Sequence, residues 1–138
     1  MLYNMIMKRL AMIAAVIMIV LSSCVVTPQN LAVPGWAEGV WAGSNGEECE
    51  ITHDNLILES RYGDIDIKVW LDFGECRIRR NSFDDGEWHI RLFVAEGPYG
   101  REGEIIVYNE GSSGLKVAVN HIRSYDATVM HFTRTGNT

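Results

Sequence analysis

The sequence predicts an all-β domain, a small antiparallel up-and-down barrel of about eight strands, with a β-sandwich as the alternative. Three observations predict it. From Trp36 onward apolar residues recur at period two, the spacing of a half-buried strand. Turn residues (Gly, Asn, Asp, Pro) divide these runs at short, regular intervals. Downstream of residue 24, no ten-residue stretch carries a helical stripe. Hairpin-length connections favour a meander over a Greek key, which needs a long return connection. Closing the meander also removes exposed strand edges.

The first segment is of another kind. Met7-Lys8-Arg9 is a positive patch, and Leu10 to Leu21 is an uncharged run of twelve apolar residues. That run is short for a bilayer span and matches the apolar core of a signal peptide. Met1, Met5 and Met7 are each acceptable starts. Leu21-Ser22-Ser23-Cys24 follows and resembles the lipobox of bacterial lipoproteins. The resemblance implies cleavage between Ser23 and Cys24, diacylation of the Cys24 thiol and acylation of the new amino group. Two or three acyl chains anchor stably where one is marginal. Val25 stands where such lipoproteins carry the Asp that retains them in the inner membrane, which implies the outer membrane of the envelope. Residues 24–35, with Pro28 and Pro34, read as a lipidated tether, and 36–138 as the barrel domain.

Strands are expected near 38–44, 47–53, 55–61, 64–73, 76–83, 86–95, 102–109, 114–123 and 127–135. The strongest pattern is Asp64 to Phe73. There Ile65, Ile67, Val69, Leu71 and Phe73 take one face, and Trp70 shares the other with three Asp and a Lys. Trp88, Ile90, Leu92 and Val94 point inward in the 86–95 run, as do Leu115, Val117 and Val119, then Met130 and Phe132, in the last two. Asn45-Gly46 and Asp85-Gly86 suit two-residue type I′ hairpins.

The 138 residues carry 12 Lys and Arg against 18 Asp and Glu, a formal charge of −6. Without the first 23, the 115 remaining residues carry 10 basic and 18 acidic side chains, a charge of −8. This excludes a nucleic-acid binder, which needs a basic face. It also predicts repulsion from anionic lipid head groups, so that lipid alone holds the domain to its membrane. Cys49 and Cys76 are left as an even pair in an oxidising compartment, and a disulfide is expected. Closing a loop of about 27 residues would contribute on the order of 3 kcal/mol.

Gly39-Val40-Trp41-Ala42-Gly43, the strand ladder and Phe132-Thr133-Arg134 together resemble the lipocalin-like, or calycin-type, barrels. That resemblance matches Gly39 and Trp41 to the G-x-W and implies that Arg134 packs over Trp41 and closes the barrel base. The early G-x-W and the cysteine pair are also similar to periplasmic inhibitors of metalloproteases, which would insert Val25 to Trp36 into a protease cleft. Lipoprotein inhibitors of lysozyme share the size and barrel shape.

Candidate chemistry is sparse. His121 and His131 fall on the last hairpin, but zinc needs three or four ligands, so no metal or other cofactor is expected. His53-Asp54 would serve as a base only beside a nucleophile in a cleft, and Ser112-Ser113 lacks the strand–turn–helix setting of one. No enzyme is expected. Trp70, Phe93 and Tyr99 read as outward aromatics of a partner surface. The expected product is a monomeric, lipid-anchored, non-catalytic binding lipoprotein. An inhibitor of a secreted hydrolase and a carrier of a small apolar ligand are the alternatives.

Overall fold

The computed structural model describes residues 2–23 and 29–136. Cys24, on which the expected lipidation falls, lies outside the described residues. Leu2–Ser23 is helix α1. Among the described residues no helix is long and apolar enough to cross a membrane.

Nine strands follow: β1 (Gly39–Gly43), β2 (Glu48–Thr52), β3 (Asn55–Ser60), β4 (Gly63–Asp66), β5 (Cys76–Phe83), β6 (Glu87–Glu96), β7 (Tyr99–Asn109), β8 (Gly114–Asn120) and β9 (Thr128–Gly136). All pair antiparallel in one sheet ordered β4-β3-β2-β1-β9-β8-β7-β6-β5. The sheet curls into a barrel-like meander, and the sandwich alternative falls because there is one sheet. Closure is incomplete: β4 and β5 are unpaired with each other, leaving a seam.

The seam has a topological cause. An odd number of alternating strands cannot end antiparallel to its start, yet β1 and β9 are antiparallel. β4 and β5 must therefore run in the same direction, and the chain between them must travel back. Helix α2 (Ile67–Asp72) occupies this return and touches both β3 and β5.

This corrects the expected strand over 64–73. Asp66 ends β4 and caps the helix, its carboxylate accepting from Val69 N at 3.2 Å. The buried Asn55 side chain accepts from Lys68 N at 2.9 Å and donates to Asp66 at 2.9 Å. At the far end Glu75 N donates to Trp70 O and Gly74 N to Leu71 O, with Gly74 at φ 70°. That is a Schellman stop, which needs the left-handed conformation glycine tolerates. The helical turn buries Ile67 and Trp70 at i, i+3, while Val69 is 43% exposed and Phe73 77% exposed.

Two further expectations change. Neither Asn45 nor Asp85 takes positive φ, so the turns stand where expected but are not type I′. Instead carboxylates satisfy the turn amides: Glu47 accepts from Asn45 N, and Asp84 from Gly86 N and Glu87 N. These amide bonds hold the Asp84 carboxyl below its ordinary pKa. Residues 29–34, expected in the tether, belong to the fold. Gln29 exchanges two hydrogen bonds with the Ile78 backbone (2.7 and 3.0 Å), Asn81 donates to Ala32 O, and Leu31 is buried in the core. The segment lies beside β5 as a strap.

Cys49 and Cys76 are free thiols, which corrects the expected disulfide. Cys49 pairs with Trp41 and Leu58 on β1 and β3, whereas Cys76 opens β5 at the opposite edge of the sheet. Both are buried, and burial pushes Cys49 up to about 12 and Cys76 up to about 11.

Candidate functional site

Inward positions of every strand carry large apolar side chains. Trp41, Trp88, Tyr125 and Phe132 are fully buried, along with Ile51, Leu56, Leu58 and Ile90. Space for a ligand is therefore found outside this core, and the two ends of the barrel differ in how they are shut.

The base is the end where β1 begins. A 3-10 turn, Gly35–Ala37, leads into β1 there. Arg134, near the end of β9, fastens it. Its guanidinium donates to Glu38 O (2.6 Å), Trp36 O (3.3 Å) and Ser112 O (3.0 Å), and it stacks over the Trp41 ring at 4.2 Å. Trp41 Nε1 donates to Ala37 O. Gly39 supplies the space. It sits at φ 149°, and a Cβ there would lie 2.4 Å from Arg134 Nη1. The structure thus brings Gly39, Trp41 and Arg134 together.

The opposite end, the rim, is shut by the β8–β9 loop. Ile122 and Tyr125 turn inward and are buried. Tyr125 OH donates to Gly63 O (2.7 Å) and accepts from Ser60 Oγ, and its ring lies 5.5 Å from Tyr62. Burial raises the Tyr125 phenol. The loop holds three non-glycine residues at positive φ, His121, Arg123 and Ala127. Such strain persists only where surrounding contacts impose it. Here Arg123 stacks over Trp70 at 4.6 Å, lies 3.6 Å from Glu75 and donates its amide to Glu96.

Trp70 is thereby corrected from partner surface to core: it is 5% exposed, beneath Arg123. Phe93 is half-buried under Arg77 and Arg79, and Tyr99 is 81% exposed. His121 and His131 do not meet. His121 contacts Arg101 at the rim, and His131 faces Glu110. Among the described residues no group of three or more His, Cys, Asp or Glu side chains gathers to hold a metal.

An open groove of about 940 Å³ lies outside the base. Trp36, Glu38, His53, Asp54, Ser112 and Arg134 line it. Trp36 is set by its indole N–H donating to Asp84 O. Asp54 accepts from Lys68 Nζ at 2.7 Å and from Thr52, and the Lys68 bond is the first cause of its lowered pKa. His53 Nε2 stands 3.8 Å from Asp54, beyond hydrogen-bond reach. Among the described residues no hydrogen bond joins Ser112 to His53. The groove brings His, Asp and Ser to one place without wiring them as base and nucleophile. Trp36 as a groove wall and Tyr125 as the bolt of the rim had no signal in the sequence, because both roles depend on distant loops. Comparison of the chain with protein-family models, curated proteins and solved structures gives no match.

Proposed function

We propose that this chain is an exported bacterial envelope lipoprotein, anchored through lipid on Cys24, whose filled lipocalin-like barrel binds a partner from the outside without catalysis. The filled interior is the observation that carries the binding reading. With both ends shut and aromatic side chains in the middle, a small apolar ligand has no chamber of the usual few hundred Å³. The base groove offers a concavity for recognition. The Gly39–Trp41–Arg134 staple supports the lipocalin-like reading. Engagement of Asp54 by Lys68 rather than His53 supports a non-catalytic role. The inhibitor reading has less support, because residues 29–37 are strapped to the barrel and not presented for insertion.

Native mass spectrometry of the protein extracted from host membrane tests the proposal. The expected spectrum shows a chain beginning at Cys24 with diacylglyceryl mass added and no further retained ligand. A retained, dissociable mass of a few hundred daltons would favour the carrier. An unmodified Cys24 would remove the lipoprotein reading.

A further inference from the structure

Net charge predicts that this acidic domain avoids anionic surfaces, yet its arginines are not evenly spread. Arg77, Arg79 and Arg80 on β5 and Arg91 on β6 are all exposed. Arg77 and Arg79 flank the Phe93 ring at 5.2 and 5.4 Å. A bulge in β5 at Arg79 brings Arg80 directly opposite Arg91 in the ladder. Like charges placed opposite one another across strands are destabilising. Among the described residues none of these four arginines makes an ion pair. The nearest carboxylates on the same face belong to the next strand, where Glu104 pairs with Arg91 and Glu102 with Phe93. Two carboxylates, Glu102 and Glu104, thus border a face of four arginines and, among the described residues, form no ion pair with them.

The same strand receives the chain from the anchor. Gln29 is bonded to Ile78, between Arg77 and Arg79. Only residues 25–28 separate it from Cys24, and the five steps from Cys24 to Gln29 span at most about 18 Å. A small domain is about 30 Å across. A leash shorter than the domain that enters at β5 brings the β5 side to the bilayer and keeps the far side away.

We infer that the β5–β6 face, Arg77, Arg79, Arg80 and Arg91 around Phe93, docks on the anionic head groups of the membrane that anchors the chain. The inference rests on the anchored reading above. Head-group phosphates relieve the Arg80–Arg91 repulsion. The domain then lies on its side, with the base groove facing along the membrane plane.

The test uses the anchored chain in phosphatidylcholine vesicles with and without phosphatidylglycerol. The rate of phenylglyoxal modification of each arginine is read by peptide mass spectrometry. The four arginines are expected to be modified about fivefold more slowly with the anionic lipid, in line with about that gain per basic residue at such a surface. High salt restores the rate, and Arg61 in the β3–β4 turn is unaffected. Equal rates in both vesicles, with the protein floating with each, would overturn the inference while leaving the anchor intact. Failure to float with phosphatidylcholine would instead remove the anchored reading. In that case salt-sensitive flotation with phosphatidylglycerol, lost in R77Q/R80Q/R91Q, would support the face, and no flotation would overturn it. Arg80→Gln should melt no lower than wild type without lipid, since it removes a repulsion.

Discussion

Arg134 donates to the carbonyls of Trp36, Glu38 and Ser112 and stacks on Trp41, so it joins the 3-10 turn, the β7–β8 loop and β1 at the base. Charged donors contribute more than neutral ones, but bonds from one group do not add. Arg134→Ala is therefore expected to cost about 3 kcal/mol in denaturant unfolding, with little change in slope. Gly39→Ala should be comparably harmful, because the new methyl meets the guanidinium and the backbone is held at positive φ. The two should be less than additive, since the guanidinium clash vanishes when Arg134 is gone. The thiols give a second expectation. Folded Cys49 stays protonated up to about 12 against an ordinary 9.0. Its contribution to stability is whole below pH 9 and is lost as pH rises toward 12. Alkaline unfolding should steepen by up to about 1.4 kcal/mol per pH unit from this group, and Cys49→Ala should flatten it. Neither Cys49 nor Cys76 should react with a thiol reagent until the chain unfolds.

At the scale of elements, strand boundaries are largely legible because they are local. Asn45-Gly46, His53-Asp54, Asp85-Gly86 and Gly111–Gly114 interrupt alternating runs, and hairpins form there. Helix α2 is the exception. Ile67, Val69 and Leu71 fit a strand, but Ile67, Trp70 and Leu71 fit a helix equally well. Local caps decide it: Asp66 at the start and Gly74 at the stop, both visible in the sequence, and Asn55 from another strand, which is not. The rim loop and the docking of Gln29 are illegible for a related reason, being contacts across 49 to 65 residues. Of the candidate sites, Gly39, Trp41 and Arg134 were readable as a motif, whereas the orientation of Trp70 followed α2 and was lost with it. Asn55→Ala is expected to cost about 2 kcal/mol, since it strands the amides of Leu56 and Lys68. Asp66→Ala should cost about 1 kcal/mol. Both should speed hydrogen exchange over 67–75 while β7 and β8 stay protected.

For the whole molecule, a filled interior and a basic β5–β6 face leave the surface for recognition, which fits the proposed docking on a bilayer and the groove at the base. The strap that joins the leash to the barrel has a mechanical consequence. Under the proposed anchoring, tension would enter the domain at Gln29 and meet the Gln29–Ile78 bonds first, then Ala32–Asn81, then Trp36–Asp84. These contacts lie in series and open one at a time, like a zipper, whereas the long β6–β7 ladder shares no load until they are gone. Releasing residues 29–36 yields about 25 Å of slack. The strap thus acts as a fuse, lengthening under force and leaving the nine-stranded sheet unstressed.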